Sequence, residues 1–275
     1  MGEEKSSYSS DIEENRYVQI VREIFTNKYV VGDSSVEFTR DDLISTCQSL
    51  GVAVPKNPGD ILYSFRYRNV LPKEIVSSAP PGKTWIIIGE GRAKYAFKLS
   101  STPYIEPNHA LQKIKIPDNT PEVIERYSIT DEQGVLSKVR YNRLIDIFLG
   151  ITTFSLQNHL RTTVKGIGQI EIDELYVGIN KKGQHFVIPV QAKGPKDKIG
   201  VVQLKQDITY CSLEKKFTNL ICAPIAVQYL DDNVICMFHL DCEDYNAQIV
   251  DEKHYQLVPS NQISDEYVKK LRDLL

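Results

Sequence analysis

Gly168-Gln-Ile-Glu-Ile-Asp-Glu-Leu-Tyr-Val-Gly-Ile-Asn-Lys-Lys-Gly-Gln-His-Phe-Val-Ile-Pro-Val-Gln-Ala-Lys193 reads as a strand that carries carboxylates, a tight turn at 180–183, and a second strand ending in Gln-x-Lys. Gln191 and Lys193 are two residues apart, so on a strand they share a face. A three-residue loop at 181–183, with Gly183 in the left-handed conformation, pairs Asn180 with Gln184. That register sets Asp173 opposite Gln191 and Glu171 opposite Lys193, within cross-strand reach. A four-residue loop would shift the pairing by one and separate them. Ile170 and Ile172 are even, whereas Leu175, Val177 and Ile179 are odd. The apolar face therefore switches near Asp173 and Glu174, which predicts a bulge or sharp bend there.

Working outward, a helix is expected from Val135 to Leu149, then strands at 161–164, 169–179 and 186–191. A loop at 194–198, a helix at 199–213, strands at 220–229 and 234–240, and a last helix at 265–275 follow. Upstream, Tyr17, Ile20, Val21, Ile24 and Phe25 recur at helical spacing over 13–27. An extended piece at 36–38 leads to Thr39, a good cap for a helix that stops at Gly51. A third helix is expected from Pro58, with Asn57 as its cap, through Tyr67. Strands at 85–88 and 95–99 flank Gly89-Glu90-Gly91 as a hairpin. Helix, strand, helix, helix, hairpin is the order of a winged helix-turn-helix domain, in which the third helix enters the major groove. Here that helix bears Arg66 and Arg68, and the hairpin bears Arg92 and Lys94. Other small α+β domains share the order.

The reading divides the chain into a disordered tail at 1–11, a winged-helix-like domain at 12–100, a linker at 101–133 and a second domain at 134–275. The fold class expected is α/β, a mixed central sheet flanked by helices and preceded by a small α+β domain.

Composition is that of a globular chain, 41% hydrophobic and 25% charged. No apolar run approaches the ~18 residues of a membrane span, and the polar, acidic start is not a secretory signal; a cytoplasmic protein is expected. The net charge of −3 argues against a non-specific nucleic-acid binder. The charge is uneven, however: residues 1–55 carry five Lys/Arg and ten Asp/Glu, and 56–99 carry eight against three. Five scattered cysteines imply reduced thiols rather than a disulfide framework. Cys236, His239 and Cys242 fall on a strand that turns residues 236 and 239 to opposite faces, so core packing is the reading there. No phosphate-binding Gly-rich loop, H-E-x-x-H helix or G-x-S-x-G elbow is present.

Phosphodiester hydrolysis needs hard oxygen ligands for a divalent cation, an activated water and a positive charge near phosphorus. Asp173 and Lys193 offer these. On these residues the stretch resembles the PD-(D/E)xK nuclease superfamily, in particular type II restriction endonucleases, over about Leu136 to Leu240. The resemblance implies a restriction-endonuclease-like core that cuts double-stranded DNA with Mg²⁺, as a homodimer. Asp173 matches the family's first acid and Lys193 its lysine. Gln191 stands where the second acid is usual and would bind through its amide oxygen, with the Ala192 carbonyl beside it. Glu171 and Glu174 are reserve acids. The expected preceding helix lacks the glutamate that many relatives use, and Asp146 is the one acid in its second half. Gln203 and Gln206 resemble polar residues that some relatives place beside the metal. His159, in Gln157-Asn158-His159, reads as a structural histidine or a DNA contact. The alternative is a non-catalytic DNA-binding regulator in which Gln191 records a lost activity.

Overall fold

The computed structural model describes residues 7–67, 69–127, 132–230 and 232–273. The chain forms two compact units, Met1–Pro103 with Thr163–Gln169, and Tyr104–Thr162 with Ile170–Leu275.

In the first unit, α1 (Ser7–Lys28), β1 (Ser35–Thr39), α2 (Arg40–Ser49), α3 (Gly59–Tyr67) and α4 (Lys73–Ser77) precede the hairpin of β2 (Thr84–Gly89) and β3 (Lys94–Ser100). The three strands form an antiparallel sheet in the order β1-β3-β2. Thr39 caps α2 through a capping box with Asp42, and Gly51 ends it at φ +65°. Asn57 accepts the Gly59 amide at the start of α3. The helical stripe of α1 buries Ile20, Val21, Ile24 and Phe25 against Leu43, Ile61, Leu62, Phe65, Trp85 and Phe97. Phe25 is its hub, with ring centroids 5.2 Å from Trp85 and 5.1 Å from Phe97. α1 begins at Ser7, within the tail expected at 1–11. Extending a helix anchored by packing adds one hydrogen bond per residue at little cost, and Glu13, Glu14 and Arg16 are good helix formers.

The second unit runs β4 (Tyr104–Ile105), β5 (Lys113–Pro117), α5 (Glu122–Tyr127), α6 (Glu132–Tyr141), α7 (Leu144–Leu149), β6 (Thr152–Val164), β7 (Gly168–Ile179) and β8 (His185–Lys193). It continues with β9 (Ile199–Gly200), α8 (Val201–Leu213), β10 (Ile221–Cys222), β11 (Ile225–Leu230), β12 (Val234–Glu243), β13 (Asn246–Val258) and α9 (Asp265–Arg272). Its centre is a curled, mixed, eight-stranded sheet in the order β5-β13-β12-β11-β8-β7-β6, with β10 pairing on β8. β8 and β11 are parallel, so the chain crosses between them through α8. The architecture is mixed α/β. Val135, Leu136, Val139, Leu144 and Ile145 of α6 and α7 pack on Ile188, Val190 and Ala192 of β8. The pleat turns Gln191 to the opposite face, where α8 lies. Among the described residues no helix is long and apolar enough to cross a membrane.

The ordered structure expected within the linker at 101–133 includes β5, which extends the sheet edge parallel to β13, with Ile114 and Ile116 packed on the core. Two expectations change. The expected single helix at 135–149 is two, broken at Arg143 with φ +50°. Asn142 causes the break, because its side chain bonds Asp118, Thr120 and the Lys138 carbonyl and accepts the Asn119 amide. The 13-residue β13 has no counterpart in the sequence reading. Its alternation is masked by Glu252 and His254, which sit in the sheet as a buried pair 2.8 Å apart.

Candidate active site

The hairpin turn fixes the site's register. The Asn180 amide donates to the Gln184 carbonyl at 3.2 Å, and Asn180 Oδ1 accepts the Lys182 and Gln184 amides at 2.9 and 3.0 Å. Gly183, at φ +75°, completes a three-residue loop. The ladder then runs from Ile179↔His185 to Glu174↔Val190, the register expected from the sequence.

Regular pairing stops at Asp173 and Gln191, the next residues in line. The Ala192 amide donates to Asp173 Oδ2 at 2.8 Å. Gln191 Nε2 donates to the Glu171 carbonyl at 3.1 Å and to Asp207 Oδ2 at 2.9 Å. Burial follows the same break: Ile170 and Ile172 are buried at alternate positions, then Glu174, Leu175 and Tyr176 are buried in succession. Side chains replace ladder bonds here, at the point where the apolar face switches.

Asp207, which the sequence reading does not single out, completes the cluster. It projects from the middle of α8, is 2% exposed, and holds Gln191. Gln191 Oε1 and Asp207 Oδ1 are both buried without a hydrogen-bond partner. Most buried polar atoms are paired, so two bare oxygens in one place need a reason. Burial raises the pKa of Asp207 well above the aspartate norm; the charges of Asp173 and Cys222 add to this, and Gln191 and Lys193 oppose it. Burial raises Asp173 as well, against the Ala192 amide and the Lys193 charge, and Glu132 and Glu171 push in the same direction as burial. Glu132 begins α6, three residues ahead of the helix start expected from the sequence. An acid of the preceding helix therefore acts on Asp173.

The reserve acids lie elsewhere. Glu174 is fully buried on the face opposite Gln191, where its Oε1 takes Arg140 Nε and Nη2 at 3.1 and 2.9 Å and the Ser155 hydroxyl at 2.6 Å. It is part of a structural ion pair. Glu171 faces β6, with Arg161 at 3.1 Å and His159 at 3.4 Å. Burial alone would raise its pKa, but these two partners outweigh it and hold it low. Asp146 accepts the Thr153 amide and pairs with Arg143, so it too is structural. Gln206 is buried in α8 beside Asp207.

The expected DNA-reading residues divide. Arg92 and Lys94 are exposed at the start of β3 and the loop before it. Arg66 turns inward: its Nε and Nη2 are buried without a partner, and the guanidinium lies 5.1 Å from the centre of the Tyr67 ring. It follows Leu62 by one helical turn and so stands at the edge of the buried stripe. Arg68 lies outside the described residues.

Among the described residues, no three His, Cys, Asp or Glu side chains form a metal-ligating group. Two aspartates and a glutamine amide lie close together there: Gln191 donates to Asp207, and the charge of Asp173 acts on Asp207. No family model, curated protein or solved structure matches this chain.

Proposed function

We propose that the chain is a Mg²⁺-dependent endonuclease acting on double-stranded DNA, with a restriction-endonuclease-like core and a winged-helix-like reader. The observation that carries this reading is the convergence of Asp173, Gln191 and Asp207 beside Lys193, with two buried oxygens left bare. The donor set fits the cation. Mg²⁺ takes hard oxygen ligands, and a bare buried carboxylate oxygen is costly unless a cation or proton meets it. Asp173, Gln191 and Asp207 would hold it, with the Ala192 carbonyl as a further oxygen. A divalent ion there would supply Lewis acidity, lowering the pKa of water so that it can attack phosphorus.

The protein's own residues do the rest. Gln191 gives both amide hydrogens inward, so only its oxygen remains to act, in the place a carboxylate oxygen would take. Asp207 supplies from the helix the carboxylate that the strand lacks. Lys193 brings a fixed positive charge to the edge of this cluster, where charge grows on the phosphoryl oxygens in the transition state. The sheet order β1-β3-β2 and the exposed Arg92 and Lys94 support a winged-helix-like reader for the first unit. A two-fold homodimer would match a palindromic site.

The test is cleavage of mixed-sequence plasmid DNA by the purified chain with Mg²⁺. Asp173→Ala and Lys193→Ala should each abolish cutting while the circular dichroism spectrum is unchanged, and Gln191→Glu should retain some activity, reduced by repulsion from Asp207. A wild-type protein that binds DNA without cutting it would establish the non-catalytic regulator instead.

A further inference from the structure

β6 is the last strand of the central sheet, and residues 154–159 within it are all exposed. A strand that packs on a core buries every second residue. Here both faces are bare over six consecutive positions, including Phe154 and Leu156 at 59% and 52% exposure. A long open edge of this kind invites a partner unless something blocks it.

The side chains on the edge have the chemistry of base recognition. Gln157 and Asn158 carry amides that can pair with adenine in two places, and Arg161 carries the fork that fits guanine. Exposed apolar groups such as Phe154 and Leu156 suit the thymine methyl. These groups are held in place. Glu171 fixes Arg161 and His159, and the Ser155 hydroxyl lies 2.6 Å from Glu174 and 3.3 Å from the Asn158 amide oxygen. Glu174 is anchored by Arg140 at 2.9 Å, so the edge is tied to the buried interior. His159 takes a left-handed conformation, φ +47°, which redirects the side chains that follow it.

Position matters as much as chemistry. β6 is hydrogen-bonded to β7, which carries Asp173. Neighbouring strands lie about 4.8 Å apart, and a duplex rises about 3.4 Å per base pair along one strand. We infer that β6, through Gln157, Asn158 and Arg161, reads base edges in the major groove within one or two base pairs of the phosphate held at Asp173. This rests on the endonuclease reading and assigns sequence selection to the second unit itself.

The experiment uses the full-length protein with Mg²⁺ and a duplex library randomised over 12 base pairs (on the order of one helical turn), with the cut molecules sequenced. Wild type should return a defined sequence. Gln157→Ala, Asn158→Ala and Arg161→Lys should each lose preference at particular positions, lowering cutting of the preferred sequence roughly 5- to 100-fold. Arg161→Lys keeps its charge, so the salt dependence of binding should not change. Light scattering and melting temperature are read on every variant. Unchanged preference in all three variants overturns the inference. So does a wild type that cuts with no preference, although it remains an endonuclease. Loss of preference together with conversion from dimer to monomer makes β6 a protein interface and also overturns it. A wild type that cuts nothing fails both readings. All three side chains are exposed, so the variants should fold; Asn158→Asp repeats the test with the smallest change of shape.

Discussion

Asp207→Asn should cost the fold nothing and the chemistry nearly everything. Asp207 is buried, takes Gln191 Nε2 at 2.9 Å through one oxygen, and leaves the other bare. An asparagine of the same shape keeps an acceptor for Gln191. Asp207→Ala removes it, and the Gln191 nitrogen then has only the Glu171 carbonyl at 3.1 Å. That loss and the space left behind should cost about 1–3 kcal/mol. The two variants also differ in pH dependence. Burial lifts the folded pKa of Asp207 well above the aspartate norm, so the folded chain holds a proton that the unfolded chain has already released. Its contribution to stability is therefore complete below the unfolded value and is lost as pH rises through the folded one. Asparagine does not titrate. In EDTA, Asp207→Asn should match wild type in acid and exceed it at alkaline pH, by about 1.4 kcal/mol for every tenfold gain in proton affinity that folding gives Asp207. Asp173 and Asp207 repel each other, so the comparison reads the loss of the buried charge at 207 together with its repulsion of Asp173.

Urea unfolding of the full-length chain at about pH 3.5, below the unfolded aspartate value, and at about pH 8.5, followed by far-ultraviolet circular dichroism, measures this directly. Cleavage measured in parallel with Mg²⁺ should fall at least about 100-fold in Asp207→Asn, because ligand loss removes several kcal/mol of transition-state stabilisation. An Asp207→Asn protein that is less stable than wild type at both pH values would refute the electrostatic reasoning. Cutting at the wild-type rate would remove Asp207 from the site.

Arg140→Ala should destabilise the second unit by about 3–5 kcal/mol, at the low end because Arg140 is one-third exposed, since it strands the buried Glu174 carboxylate. Arg140→Met with Glu174→Met should recover most of that in urea unfolding, and a single-variant loss below about 1 kcal/mol would show that the pair carries no weight. Arg92→Ala and Lys94→Ala should each lower the slope of log affinity against log salt by roughly one. Arg66→Ala should leave that slope unchanged because its guanidinium is turned inward; equal slopes in all three proteins would remove the first unit from DNA contact. Ca²⁺ should tighten DNA binding relative to EDTA at matched ionic strength without permitting cleavage, and Asp173→Ala should lose most of that gain.

What could be read from the sequence was what local chemistry determines. The Asn180–Gly183 turn sets the hairpin register, and from it the neighbourhood of Asp173, Gln191 and Lys193 follows. The same register already placed Glu174 opposite Val190 and hence on the face away from Gln191, so its exclusion from the site was there to be found. Asp207 needed non-local information, because its partner lies 16 residues away across a crossover. One local sign existed: Asp207 follows Leu204 by three and precedes Cys211 by four, inside the stripe that α8 buries. An acid in a buried stripe is either paired or functional. β13 was hidden because Glu252 and His254 satisfy each other within the sheet and break the polar–apolar alternation on which strand recognition depends.

The departure at Gln191 and the acid on α8 are two halves of one arrangement. A carboxylate at position 191 would face Asp207 within hydrogen-bond distance, and two buried like charges so close cannot both remain ionised. Glutamine removes that conflict. The Glu171 carbonyl can only accept, so the amide nitrogen faces it, and the second N–H is taken by Asp207. The amide is thereby oriented from two sides, and its buried oxygen is left without a donor. Asp173 is oriented likewise, with one oxygen bound to the Ala192 amide. Each group is tied by one end to main chain or helix and presents oxygen at the other, so the geometry does not have to be assembled when a cation arrives. Until it does, the bare oxygens and raised carboxyl pKa values are a standing cost to the fold. A fold that carries this cost beside a lysine leaves unpaired oxygens at the place where the proposed site would take its cation.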